Sequence, residues 1–272
     1  MHWKNLYRGL FIGISDLIPG VSGGTIAFLL GIYQQLLEAI SGFFSKDWKK
    51  HIGFLLPLAI GAGGALLIFS RLIKYLLKNY HEPTQFFFLG LIIGILPFIA
   101  KQVNVKQNFK FIHFLVILVV GIALASLGFA STAETAPITK LTASNALSLF
   151  LAGWAGSMAM LLPGISGSFI LLILGYYSTA ITALSDLNLP IIIVIGAGVM
   201  IGFIVSSKVI RFLLERFQFM TFAVIIGLII GSVFIIYPGL PEDGTYFMMC
   251  LLALFTGLVV ASLFSSFEKK KI

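Results

Sequence analysis

Six apolar stretches punctuate the chain, near residues 52–70, 86–100, 111–130, 190–206, 219–236 and 246–266. A helix of roughly 20 residues crosses a ~30 Å hydrocarbon core, and flanking residues extend the shorter runs to that length. Each run is therefore a predicted transmembrane helix. The opening segment behaves differently. Arg8 to Ile18 makes about 16 Å of helix, half a bilayer. Pro19-Gly20 then breaks it, and a second apolar helix follows. Leu162-Pro163-Gly164 interrupts the later chain in the same way. Such an element is either a re-entrant hairpin or a broken helix that crosses. Asp16 and Pro19 interrupt the first apolar run, so the N-terminus reads as part of the membrane domain rather than as a signal peptide.

The pattern occurs twice. Pro19-Gly20-Val21-Ser22-Gly23-Gly24 returns 144 residues on as Pro163-Gly164-Ile165-Ser166-Gly167-Ser168, and each copy runs on to a Gly-x-Tyr at Gly31/Tyr33 and Gly175/Tyr177. Ser70-Arg71-Leu72-Ile73-Lys74-Tyr75-Leu76-Leu77 matches Ser207-Lys208-Val209-Ile210-Arg211-Phe212-Leu213-Leu214, and Gly90-Leu91-Ile92-Ile93-Gly94 recurs as Gly227-Leu228-Ile229-Ile230-Gly231, both 137 residues on. Gly121 and Ala125-Ser126-Leu127 align with Gly257 and Ala261-Ser262-Leu263. The chain thus divides into a first repeat, 1–130, and a second, 146–272, joined by the polar connector 131–145. The glycine pairs Gly90/Gly94 and Gly227/Gly231 suit close helix packing.

Composition narrows the class. Of 272 residues 59% are hydrophobic and 10% charged, with a mean hydropathy of +1.06. A soluble domain carries about 25% charged residues, so a soluble enzyme is excluded. The net charge of +8 lies in loops between apolar runs and reads as a topology signal rather than a nucleic-acid surface. With re-entrant hairpins each repeat crosses three times and the second is inverted. Fourteen of the 18 lysines and arginines then face the cytoplasm, leaving Arg71, Lys74, Lys78 and Lys140 outside with Glu134, Asp186, Glu242 and Asp243. A crossing break gives at best a 12 to 6 division. The expected architecture is an all-α integral membrane protein of two inverted-topology repeats. Each is a re-entrant helical hairpin plus three transmembrane helices, with both termini cytoplasmic.

Candidate chemistry centres on the breaks. Unpaired backbone cannot face hydrocarbon, so a mid-depth break faces protein, water or a polar ligand. New helices beginning at Ser22, Gly23, Gly24 and Thr25, and at Ser166, Gly167 and Ser168, offer amide and hydroxyl donors suited to phosphate. Inverted repeats allow both ends to converge on one site. Asp16 is an intramembrane carboxylate whose counterpart is Met160; it binds a coupling cation, carries a proton or caps a helix. Glu38 is a second acid, on the returning arm. Arg8 is a phosphate partner or a cytoplasmic anchor. Arg71, Lys74 and Lys78 share one helix face and would attract anionic headgroups, with Lys208 and Arg211 repeating the pair on the inner side. The four histidines show no ligand spacing and Cys250 is the sole cysteine, so no metal site is expected. Nothing in the sequence specifies an oligomeric state.

Asp16-Leu17-Ile18-Pro19-Gly20-Val21-Ser22-Gly23-Gly24-Thr25, with Leu162 to Ser168, resembles the bacterial polyprenyl-phosphate translocase family over essentially the whole chain. The resemblance implies a lipid transporter, or flippase, of the bacterial cytoplasmic membrane. Its substrate would be undecaprenyl phosphate, moved from the outer to the inner leaflet and so recycled for peptidoglycan and teichoic-acid synthesis. It implies no cofactor beyond an ion gradient, of protons or sodium, and no partners beyond the lipid substrate and the membrane. A rival is the membrane polyprenyl-diphosphate phosphatase, which has a Pro-Gly-x-Ser-Arg-Ser element; Gly23 and Gly167 stand here where it has arginine. No Glu-x-x-x-Glu lies in the first segment, so phosphoryl transfer lacks its charge clamp and base. An ion or small-anion transporter would share the half-helices without needing the outer cationic face.

Overall fold

The structure is a computed structural model that describes residues 2–17, 21–128, 136–241 and 244–268, with only the backbone described for 264–268. The first half opens with α1 (Asn5–Asp16), α2 (Gly23–Leu29) and α3 (Tyr33–Ser41). It continues through α4 (Trp48–Asn79), α5 (His81–Gln102), the short α6 (Val105–Asn108) and α7 (Phe111–Gly128). The second half runs α8 (Ala143–Leu161), α9 (Gly167–Ile173), α10 (Tyr177–Ser185), α11 (Leu189–Arg216), α12 (Gln218–Ile236) and α13 (Gly244–Glu268). No strand occurs among the described residues. The six predicted spans are α4, α5, α7, α11, α12 and α13, which makes this a multi-pass helical membrane protein. Two are more than ten residues longer than their apolar runs. α4 has 32 residues and α11 has 28, about 48 and 42 Å, because leucine, lysine and arginine continue the helix through Ser70–Leu77 and Ser207–Leu214.

The returning arms differ from expectation. Each is broken a second time, at the Gly-x-Tyr. Gly31 and Gly175 sit at φ +62° and +78°. Around each, two backbone bonds close the helix end: Gly31 N–H to Phe28 O and Ile32 N–H to Ala27 O, then Gly175 N–H to Leu172 O and Tyr176 N–H to Leu171 O. This is the Schellman arrangement, which needs a left-handed residue just past the helix. It bends α9 against α10 by 113°.

Glycines set the direction of packing. A Cβ on Gly9 would strike the Leu58 carbonyl and one on Gly61 the Leu6 carbonyl, so α1 and α4 lie backbone to backbone. Their repeat mates do the same: Gly153 meets Ile195 and Gly198 meets Phe150. Further along, Gly13 meets Ala62 and Gly202 meets Trp154 and Ser157, so residue numbers rise together and α1 runs parallel to α4 and α8 parallel to α11. The chain between the members of each pair therefore turns back to the level where it started. A second set of contacts crosses between halves. Gly90 and Gly257 join α5 to α13, and Gly121, Gly227 and Gly231 join α7 to α12. The last helix of each repeat thus packs on the middle helix of the other, through the small-residue contacts that bilayer helices rely on.

α5 and α12 form the centre, with about half of each apolar span buried, and pack on one another. α7 and α13 lie outside and turn Phe111, Leu118, Leu252 and Phe255 outward, as a lipid-facing surface does. Between the central helices and the first arm, Phe28, Ile32, Tyr33, Leu37, Phe222, Ile225 and Ile229 build the core. Phe28 tilts on Tyr33 with ring centroids 4.6 Å apart and meets the edge of Phe222 at 5.9 Å.

Candidate functional site at the meeting of the two breaks

Ser22 stands just before α2 in extended backbone. Its Oγ accepts the Gly24 N–H at 3.2 Å and donates to the Leu162 carbonyl at 3.0 Å. One helical turn on, Thr25 Oγ1 accepts the Gly164 N–H at 2.9 Å. Two hydroxyls of the first repeat thus bind the backbone of the second repeat's break. Two glycines permit the approach. Gly164 has φ +92°, and a Cβ there would lie 2.6 Å from the Leu228 carbonyl of α12. A Cβ on Gly24 would lie 2.9 Å from the Leu161 carbonyl.

The two helix starts are not alike. The Asp16 carboxylate accepts the Gly23 N–H, and a Cβ on Gly23 would lie 2.9 Å from its Oδ1. Asp16 and Ser22 together take the first amides of α2, so the capping role considered for Asp16 is one it fills. Asp16 itself is exposed. At the matching place Met160 lies over α9, its Cγ 2.6 Å from where a Gly167 Cβ would be. No side chain caps α9, and Ser166 and Ser168 place their hydroxyl oxygens 2.7 Å apart. α2 and α9 have only seven residues each, so amides and hydroxyls, rather than a long helix dipole, are what these ends offer an anion.

Burial is just as unequal. Val21 to Leu30 are all buried, whereas Ser168 to Leu171 are half-buried and Leu172 and Leu174 exposed. Tyr33 is 2% exposed and its repeat mate Tyr177 40%. α3 packs along α11, while α10 makes no comparable contact with α4. The two arms, equivalent by sequence, thus occupy different positions.

Of the predicted phosphate residues, Ser22, Gly24 and Thr25 meet the second break at Leu161, Leu162 and Gly164, Gly23 lies against Asp16, and Ser166, Gly167 and Ser168 follow that break into α9; Pro163 and Gly164 are buried. Pro19 and Gly20 lie outside the described residues. In this conformation both hydroxyls hold the two repeats together: Ser22 Oγ gives its hydrogen to the Leu162 carbonyl, while Thr25 Oγ1 accepts the Gly164 N–H. The charged candidates other than Asp16 lie elsewhere. Arg8 is on the first turns of α1, donating to Asn5 Oδ1 at 3.1 Å. Arg71 and Lys74 are exposed on the last third of α4. Glu38 is not beside Asp16; it pairs with Lys50 at 3.3 Å where α3 approaches the start of α4. Sequence reasoning missed the Tyr33 hydroxyl, which is buried with no hydrogen-bond partner among the described residues, as is the Trp154 indole nitrogen. The duplicated Gly-x-Tyr was the available signal for Tyr33.

Six apolar helices around two interlocked chain breaks, the whole built twice over, define a helical membrane protein organised about its own internal repeat. Residues 12–245 match the family model described as undecaprenyl phosphate translocase-like. The chain belongs to that family. It is 43% identical to a polyprenyl-phosphate transporter of Staphylococcus aureus over 95% of this chain and 94% of that one. It is 33% identical to a polyprenyl-phosphate transporter of Vibrio cholerae over 88% of this chain and 79% of that one. These names are those of transporters, not of enzymes, in keeping with the missing arginine and acid pair. No solved structure matches the chain.

Proposed function

We propose that the protein carries polyprenyl phosphate across the bacterial cytoplasmic membrane by alternating access, from the outer to the inner leaflet, with undecaprenyl phosphate as the natural substrate. The carrier lipid of peptidoglycan and teichoic-acid synthesis would be recycled in this way. The headgroup, not the tail, opposes flipping, because charge at the bilayer centre is costly. The observation that carries the proposal is the interlock of two duplicated breaks between repeats whose arms are packed unequally. Exchanging the positions of the two arms would close one side and open the other, which is how repeat-built transporters alternate.

The parallel course of α1 with α4 and of α8 with α11 supports two re-entrant hairpins, which three spans per repeat bring in from opposite faces, and the placement of lysine and arginine favours cytoplasmic termini. On that topology the packed arm, α3 on α11, seals the cytoplasmic side, and the loose arm, α10, leaves the outer side open. Arg71, Lys74 and Lys78 stand on that outer side and attract the lipid phosphate. The headgroup then reaches Ser166 and Ser168, while the polyprenyl tail stays in lipid. A proton or sodium ion on Asp16 couples the cycle. It cancels the carboxylate charge and loosens its hold on the Gly23 N–H, leaving that amide to the phosphate. A ligand shifts such an equilibrium only by binding its states unequally, and loading Asp16 supplies the difference.

Ligand-induced stabilisation of the purified protein tests the substrate class. Polyprenyl phosphate should raise the unfolding temperature, and the uncharged polyprenol should not. Incubation with polyprenyl diphosphate should release no phosphate; release would favour the phosphatase reading. Equal stabilisation by inorganic phosphate alone would favour a small-anion carrier.

A further inference from the structure

Away from the breaks, the end of α3 and the last turns of α11 enclose an open cleft of about 290 Å³. Ser41 and Gly42 form one wall; Lys208, Arg211, Phe212 and Glu215 form the other, spaced along α11 so that they share a face. Gly198 meets Phe150 and Trp154 and Gly202 meets Trp154 and Ser157 in the parallel pair α8 and α11, so Leu161 at the end of α8 is level with about Ser206, roughly half a turn before Lys208. The cleft therefore begins near the height of the second break and leads to the end of α11. The Lys208 ammonium makes no hydrogen bond or ion pair among the described residues. Arg211 Nε donates to Glu215 Oε1 at 2.8 Å, an exposed pair that is readily exchanged for another partner.

The repeat gives this face a counterpart. Arg71, Lys74, Tyr75 and Lys78 on α4 are the equivalents of Lys208, Arg211, Phe212 and Glu215. Across these four matched positions the α4 face carries three cations and the α11 face two cations and a carboxylate, with Arg216 one residue beyond. The aromatic position is kept: Phe212 is exposed beside Val209, an apolar lane next to the charges.

We infer that the cleft of Lys208, Arg211 and Phe212 is a second headgroup site for a phosphate monoester on an apolar chain, and that Glu215 makes it weaker than the face on α4. A phosphate monoester carries about 1.5 to 2 negative charges at neutral pH. It meets Lys208 and competes with Glu215 for Arg211, while the chain lies along Phe212 and Val209. The carboxylate in place of Lys78 lowers the hold on the headgroup at this end. The difference favours capture at the α4 face and release at the α11 face. α3 covers the path from the break to the cleft, so its withdrawal from α11 would join the two. The direction of transfer in this inference rests on the function proposed above; the existence of the site does not.

The full chain in phosphatidylcholine nanodiscs, photolabelled with a diazirine-bearing polyprenyl phosphate and mapped by mass spectrometry, tests the site. Adducts should fall on α11 from Lys208 onward as well as on the last turns of α4. Lys208→Gln should cut the α11 adduct about tenfold and leave the α4 adduct unchanged, since a hydrogen bond to a charged group is worth about that factor. Glu215→Gln should raise it. Labelling on α4 alone would overturn the site while leaving the transport reading intact. An equal α11 adduct from diazirine-bearing phosphatidylglycerol would overturn it by showing general lipid contact. Displacement by inorganic phosphate at the concentration of the lipid would also overturn it, because the chain would contribute nothing. Loss of transport by the wild-type protein in liposomes, with the adducts present, would sink the transport reading and leave the site.

Discussion

Thr25 joins the two repeats through a hydrogen bond. Its Oγ1 is the acceptor for a buried amide of the other repeat, 139 residues along the chain. Thr25→Val keeps the shape and removes the acceptor, leaving the Gly164 N–H unpaired at a cost of about 1–3 kcal/mol. A lowered unfolding temperature in detergent should show it, and an unchanged one would mean that the bond adds nothing. Asp16 has a different test, since its partner Gly23 lies in its own repeat. Asp16→Asn keeps the size and loses the charge. Polyprenyl-phosphate movement in liposomes should then no longer respond to an imposed proton or sodium gradient, whereas the wild type should. A mutant that still follows the gradient would put coupling elsewhere. Both residues were legible in the sequence because the motif is duplicated and because a carboxylate inside an apolar run is costly. Their partners were not. Leu162 O and Gly164 N–H are backbone groups, which any residue type supplies, so no letter in the sequence marks them.

At the scale of helices, glycine does two separate jobs, and sequence alone does not tell them apart. Gly31 and Gly175 end helices in left-handed backbone, and Gly175→Ala should cost about 1–2 kcal/mol from the strain of an L-residue there. Gly198 has ordinary helical backbone but lies against the Phe150 carbonyl, so Gly198→Ala should push α8 and α11 apart and cost about 1–3 kcal/mol. Gly196, two residues earlier, faces open space, and Gly196→Ala should leave stability unchanged or slightly higher. Thermal unfolding of the three variants side by side separates the roles; equal losses at 196 and 198 would contradict the packing. The second bend of each arm escaped the sequence reading for this reason: Gly31 and Gly175 were visible as repeat matches, but a helix-ending glycine and a packing glycine look the same. The six spans were legible because hydrophobic length is a direct measure of bilayer thickness. The ends of α4 and α11 were not, since basic residues that close an apolar run are good helix formers.

The whole molecule is two copies of one plan caught in unequal positions. The order of the copies was readable from the matched motifs; the inequality was not, because equivalent sequences carry no record of which arm is packed. The arrangement predicts sidedness. Cysteines placed at Asn145 and Asn188, in a chain with Cys250→Ser, should both react with an impermeant reagent from outside the cell, and reactivity from opposite sides would remove the hairpin topology. It also predicts exchange between the arms, with Tyr177 becoming buried and Tyr33 exposed when the cytoplasmic side opens. The most direct test of the account is movement of the lipid itself. Liposomes containing the purified protein and fluorescently labelled polyprenyl phosphate should lose outer-leaflet label to the inner leaflet faster than empty liposomes, with the phosphate intact. Label that stays where it was placed, in vesicles whose protein is folded and correctly inserted, would contradict the account.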